Sequence, residues 1–234
     1  MRRSIIRICS VVLALATFSA CEKAEVPAPE NQSITELKKG GNGGPAPTVT
    51  TYSGRAIAID ATIWTNLNGT VTNVGAVLGM SIMMPMAGGT ITASEPSGTI
   101  PGVLTSGALF ASTSGQNNTS ISEASATSLS ITLGTNIITA DYIKTTATTG
   151  CGAVPSGTVQ ITNLKLNGTP ITVTGAVSQA VFLPNSNGGM IILNERSGTK
   201  KRGFYSITVT GMHIIAPDQQ ADIKIADALA GTGC

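Results

Sequence analysis

Val159-Gln-Ile-Thr-Asn-Leu-Lys-Leu-Asn-Gly-Thr-Pro-Ile-Thr-Val-Thr-Gly-Ala-Val177 carries the pattern that decides the fold class. Two alternating runs, residues 159–166 and 171–177, flank Asn167-Gly168. Alternation with period two puts every second side chain on one face of a strand. Asn-Gly is the strongest short-range signal for a two-residue hairpin turn, because both central residues must take positive φ. The stretch therefore predicts two antiparallel strands. Pro170 stands just before the second run, where its missing N–H does least harm.

The same punctuation continues in both directions. Upstream, Ile57, Ile59, Ala61 and Ile63 share one strand face, and residues 71–78, 89–94, 103–111, 120–133 and 137–148 read as further strands. Ser114-Gly-Gln-Asn-Asn118 reads as a polar turn. Downstream, residues 181–183, 190–193, 205–215 and 221–229 complete the set. Hydrophobic residues make up 41% of the chain, aromatic residues 3% and charged residues 11%, so the core must come from Ile, Val, Leu, Ala and Thr. Short β-rich runs separated by Gly, Asn, Pro and Ser predict an all-β fold. The expectation is a single antiparallel β-sandwich of about ten to twelve short strands over residues 51–234.

The chain before that domain has a different character. Arg2, Arg3 and Arg7 precede an apolar stretch over residues 11–18, then Phe18-Ser19-Ala20-Cys21. A positive start, an apolar middle and small residues at the end form a secretory signal. The apolar run falls short of the ~20 residues needed to span a bilayer as a helix. A cysteine directly after the small residues resembles a bacterial lipobox, with Phe18 where Leu is commoner. The expectation is a signal peptide over residues 1–20 and lipidation of Cys21. Two or three acyl chains would make the membrane a stable partner where one chain would be marginal. Residues 21–50 read as a flexible tether, with Pro27, Pro29, Pro45 and Pro47 and the run Gly40-Gly41-Asn42-Gly43-Gly44. The expected location is extracytoplasmic, on the periplasmic or the cell-surface face of the envelope.

Three of the 14 basic residues fall in the signal, leaving 11 against 12 acidic residues and a net charge of −1 after cleavage. Nucleic-acid binding rests on clustered Lys and Arg, so nucleic acid is not an expected partner. Of the four cysteines, Cys9 leaves with the signal and Cys21 carries lipid. Cys151 and Cys234 remain as a pair in an oxidising compartment, which predicts a disulfide.

The chemistry-bearing residues are few. His213, the one histidine, shares strand phase with Ile207, Val209 and Ile215, so it is expected to point inward. Asp141 is in phase with Ile137 and Ile143, and Asp227 with Ile223, Ile225 and Leu229. Asp141, His213 and Asp227 are thus the candidate polar cluster, as a buried acid–base group or as hydrogen-bonded anchors. No nucleophile motif or phosphate loop accompanies them. Met80, Met83, Met84 and Met86 surround Pro85; such a group suits a soft metal ion, but without Cys or His nearby it reads as gap-filling core. Glu195, Arg196, Lys200, Lys201 and Arg202 read as a charged, solvated hairpin tip with a possible contact to an acidic polymer or lipid head group. Asp60, Glu123, Asp141 and Glu195 define no assignable carboxylate pair, and Asp218 and Asp222 are too isolated for a calcium loop. No metal or cofactor is expected.

Ile138-Thr-Ala-Asp141, residues 159–168, Ile192-Leu-Asn-Glu195, Ile207-Thr-Val-Thr-Gly-Met-His-Ile214 and Ala221-Asp-Ile-Lys-Ile-Ala-Asp-Ala228 follow one another in order. That series resembles the choice-of-anchor P family, exported bacterial proteins sharing one β-rich domain but differing in how they are fixed to the cell. The resemblance covers about residues 128–234 and implies no enzymatic activity. The first expectation is a lipid-anchored, non-enzymatic structural or interaction module of the cell envelope. The second is a polysaccharide- or small-ligand-binding sandwich, using the edge near Trp64. The third is a hydrolase built on Asp141, His213 and Asp227.

Overall fold

The computed structural model describes residues 50–67, 70–81, 87–201 and 203–234. The leader, Cys21, the tether up to residue 49, and Met83, Met84, Met86 and Arg202 lie outside the described residues, as do the side chains of Trp64 and Met80. The strands are β1 (Thr51–Leu67), β2 (Thr70–Ser81), β3 (Gly89–Glu95), β4 (Gly98–Ile100), β5 (Leu104–Ser106), β6 (Leu109–Gln116), β7 (Thr119–Leu133) and β8 (Asn136–Gly150). They continue as β9 (Ser156–Thr162), β10 (Lys165–Leu166), β11 (Thr169–Pro170), β12 (Gln179–Phe182), β13 (Met190–Lys201), β14 (Phe204–Ala216) and β15 (Ala221–Gly233). All pairings are antiparallel. They form a β-sandwich. One sheet has six strands in the order β12-β13-β14-β15-β1-β2; the other has nine, built around β8-β7.

The Asn167-Gly168 turn forms as its sequence demands, with φ of 51° and 78°. The strand after it does not. Only Thr169 and Pro170 pair with β10, and residues 171–176 run without a ladder. Ile171 instead returns its N–H to the Leu164 carbonyl, and the segment packs Ile171 and Val173 on the core edge. Period two therefore reports burial of alternate residues here without sheet pairing. The expected 103–111 strand breaks at Gly107-Ala108, where Gly107 donates to the Thr127 carbonyl. The polar turn narrows to Asn117-Asn118, both at positive φ, and β6 runs to Gln116. Glu195 and Arg196 lie inside β13 rather than in a hairpin tip; β14 supplies their backbone partners as far as Lys201.

β1, β7, β8, β14 and β15 each change their buried phase by one residue near the middle. In β14, Ile207 and Val209 are buried, then Met212, Ile214 and Ala216. In β15, Ile223 and Ile225 are followed by Ala228 and Ala230; in β1, Ala56 and Ala58 by Ile59, Ala61 and Ile63. The nine-stranded sheet matches: β7 passes from Ala124 and Ala126 to Leu129, Ile131 and Leu133, and β8 from Ile138 and Ala140 to Ile143 and Ala147. The change falls at one level across each sheet. Gly79, Ala226 and Asn194 stand at that level on alternate strands of the six-stranded sheet, with φ of 65°, 55° and 55°. Ser128 and Asn163, at 48° and 52°, do the same in the other sheet. A left-handed residue turns the chain so that alternation restarts one place later, and a one-place slip exchanges the faces of every residue beyond it.

The two halves are filled differently. Above the shift the interior is Ile and Leu, with Ile59, Ile131, Ile138, Ile214 and Ile223 fully buried. Below it, the interior is richer in Ala, Ser and Thr around Ile207 and Val209, with buried hydroxyl pairs Thr113–Ser122 and Thr149–Thr232, both 2.8 Å. Small side chains bring the sheets close together. At Gly211 an added Cβ would meet Ile143 Cγ2 at 2.8 Å and Thr145 Oγ1 at 2.9 Å, so only glycine fits between β14 and β8.

The C-terminus is fixed by a Cys151–Cys234 disulfide with the Cα atoms 5.7 Å apart. It ties the chain just after β8 to the chain just after β15, and the Cys234 N–H also bonds the Gly203 carbonyl.

Candidate functional site

The phase shift decides where the polar candidates lie. Because alternation restarts at Gly211, His213 stands out of phase with the buried Met212 and Ile214, and its face is the outer one, not the inner one expected. The same shift at Asn194 puts Glu195 on that outer face. His213 Nδ1 lies 2.8 Å from Glu195 Oε2 on β13, and Nε2 lies 2.9 Å from Asp222 Oδ1 on β15. The His213 side chain is only 11% exposed despite facing outward, flanked by Glu195 and Asp222 from the neighbouring strands. A carboxylate only accepts, so both contacts are hydrogen bonds at once only when both ring nitrogens carry protons.

Asp227 belongs to a second group on the same sheet. It is 2% exposed and both its oxygens are taken. Thr210 Oγ1 donates to Oδ1 at 2.7 Å, and Arg55 Nη2 donates to Oδ2 at 2.7 Å. Register places Thr210 and Ile57 directly beside Asp227 on its two flanking strands. The cost of burying this carboxylate is met by a charge-assisted bond and a hydroxyl, as such burial requires. Arg55 Nε is buried without a partner, so the guanidinium is served at one end.

Asp141 joins neither group. It lies on β8 in the other sheet, exposed, and its Oδ2 accepts from Asn163 Nδ2 at 2.6 Å. Asn163 is the left-handed residue directly after β9 at that level, so the bond closes the backbone irregularity from the side. The expected trio of Asp141, His213 and Asp227 is therefore not assembled. The phase argument fails because it runs each strand's alternation unbroken through the shift. The partners that sequence reasoning did not join to them, Glu195, Asp222, Arg55 and Thr210, stand within three residues of the positions opposite His213 or Asp227. Pairing of β13, β14, β15 and β1 is what brings them there, and no local motif signals it.

As chemistry, the outer row is closed. Among the described residues no Ser, Thr or Cys side chain hydrogen-bonds His213, and Thr210 is spent on Asp227. Among the described residues no three His, Cys, Asp or Glu side chains converge as a metal would need. Two other acids sit elsewhere. Ser186 donates to Asp218 at 2.6 Å and holds its carboxyl below the usual range. Glu123 pairs with Lys144 at 2.9 Å on the nine-stranded sheet, and the bond raises the Lys144 ammonium above its ordinary value.

Two small clefts open on the surface of the described residues. One, of about 270 Å³, is lined by Ile100, Val103, Leu104 and Thr132 at the β4–β5 end. The other, of about 210 Å³, opens between β9, β13 and residues 173–175. No helix among the described residues is long and apolar enough to cross a membrane. No protein-family model, curated protein or solved structure matches the chain.

Proposed function

We propose that the chain is a lipid-anchored envelope protein of the choice-of-anchor P kind, whose sandwich serves as a non-enzymatic structural or interaction module outside the cytoplasm. The observation that carries this is the Cys151–Cys234 disulfide. Such bonds persist in oxidising compartments, and this one accounts for the two cysteines that the leader and the lipobox leave over. The polar side chains support the same reading. Both ring nitrogens of His213 and both carboxylate oxygens of Asp227 are engaged by neighbouring strands, which suits a role in holding strands together better than one in turning over a substrate.

Radiolabelled palmitate tests the anchor. Label is expected in the wild-type chain and not in Cys21→Ser, which should also leave the membrane fraction. Unlabelled wild type, or a Cys21→Ser chain that still sediments with membranes, would refute it.

A further inference from the structure

The cleft beside β13 holds an unusual cation. Arg196 pairs in register with Val209, which is fully buried in the lower apolar cluster with Val159 packed against it. Arg196 therefore sits on the inner face of its sheet, half-buried, at the mouth of the gap between the sheets. Its Nε donates to Asn194 Oδ1 at 2.8 Å. The same amide donates from Nδ2 to the Gly175 and Ala176 carbonyls at 2.9 and 3.2 Å. The fork is thus held from behind, and the wall at residues 173–175 is held with it. Among the described residues no carboxylate pairs with Arg196. Its neighbour Glu195 is turned to the opposite face and spent on His213. An inward guanidinium without a counter-charge is costly. Arginine's planar fork matches a carboxylate with two parallel bonds.

The surroundings select the carrier of that carboxylate. Val159 and Val173 form an apolar wall. No aromatic ring lines the cleft to stack on a sugar. Two strand edges open there instead. β9 pairs only with β8, and β13 beyond Leu193 pairs only with β14. Open edges take extended peptides through main-chain bonds, with side-chain pockets at alternate positions. A volume near 210 Å³ suits the terminal residue of a chain rather than a whole small molecule of drug size.

We propose that this cleft binds the C-terminal carboxylate of an extended peptide, with Arg196 as the anion partner and the free edge of β9 as the strand the peptide extends. This rests on the interaction-module reading and names its partner chemistry; it is independent of how the chain is anchored, so the palmitate test and the one below fail separately.

The test is capture of random hexapeptides by the full chain in detergent, comparing a pool with free C-termini against the same pool amidated. The free-carboxylate pool should be retained at least tenfold better. Arg196→Gln should erase that difference with an unchanged thermal midpoint, and Arg196→Lys should keep only part of it. Lys200→Gln is the control; Lys200 lies over the Tyr205 ring, 5.5 Å from its centroid, and is not among the residues lining the cleft. If Arg196→Gln does not fold, competition on the wild type by N-acetyl dipeptide acid against its amide gives the same discrimination. Equal retention of both pools, retention of neither, or better competition by an oligouronide than by the peptide acid would overturn the proposal.

Discussion

Replacing Asp227 with alanine isolates the energetic weight of the outer polar row. The carboxylate is 3% exposed and holds two donors at 2.7 Å. Loss of the Thr210 bond leaves a buried hydroxyl unpaired, worth about 1–2 kcal/mol. Loss of the Arg55 contact costs less than a buried ion pair would, because the arginine side chain is 40% exposed and water can take over. Discounted for that screening, it contributes about 1 kcal/mol. The sum is about 2–3 kcal/mol, a fall of roughly 5–10 °C in midpoint for a domain of this size. Urea unfolding with the disulfide intact measures it. In a double-mutant cycle, Asp227→Ala with Arg55→Met should show a coupling near 1 kcal/mol. A loss below about 0.5 kcal/mol for Asp227→Ala, or a gain, would mean that the carboxylate is poorly compensated in the fold and that the row does not stabilise it.

The disulfide spans 83 residues of sequence, and loop-closure arithmetic gives it up to about 4.5 kcal/mol; Cys151→Ser with Cys234→Ser should lose about 2–4.5 kcal/mol, and an unchanged urea midpoint would contradict it. Gly211→Val should cost more than about 3 kcal/mol, or give no soluble domain, because it overpacks the gap against Ile143 and Thr145; near-wild-type stability would show that the sheets can part there. The Lys144–Glu123 pair is about a third exposed and contributes a few tenths of a kcal/mol by the ordinary worth of such pairs. Since the Lys144 ammonium is held above its ordinary 10.5, its contribution is complete below that pH and is lost as pH rises through the higher folded value. Glu123→Gln should flatten that alkaline loss, as unfolding at pH 9 and 11.5 would reveal.

What the sequence discloses is what local alternation and turn chemistry determine. Ile59, Ala61 and Ile63 line the core from one face, whereas Ile57, expected on that face, lies across the phase shift beside Asp227 on the outer one; Asn167-Gly168 turns at positive φ in both places. β3, β7, β8 and β14 lie within a few residues of their expected limits. The pairing of Cys151 with Cys234 follows from counting. Failures occur where pairing is decided at a distance. Residues 171–177 have strand composition but are held by single bonds, Ile171 N–H to the Leu164 carbonyl and Asn194 Nδ2 to the Gly175 and Ala176 carbonyls, and form no ladder. Ser197-Gly-Thr-Lys200 shows no apolar period, yet β14 beside it extends the hairpin to Lys201. Neither outcome is encoded in the segment itself.

The candidate site was hidden by the phase shift, and the shift is only half written in the residue types. Gly79, Asn163 and Asn194 are types that tolerate left-handed backbone, and each is a hint. Ala226 and Ser128 are not, and for such residues the conformation costs about 1–2 kcal/mol. They accept it because the neighbours have already changed phase. A strand that kept its alternation while its partners shifted would turn its apolar side chains to water beyond that level, and burial of one Ile or Leu is worth about 1.5–3 kcal/mol. Ile223 and Ile225 in β15 alone outweigh the strain at Ala226. The shift is therefore a property of each sheet as a whole. It also explains why the polar residues gather beside it: Glu195, Asp227 and Asn163 all stand at or one place past a left-handed residue, where the ladder skips a pair and side chains close the gap. Asn194→Gly tests this directly. It keeps the backbone conformation at no steric cost but removes the amide that braces Arg196 and the Gly175 and Ala176 carbonyls. The sheet register should persist, with unchanged amide protection in β13 and β14, while protection is lost over residues 173–178. Loss of protection along β13 instead would show that the amide, and not the neighbouring strands, fixes the phase.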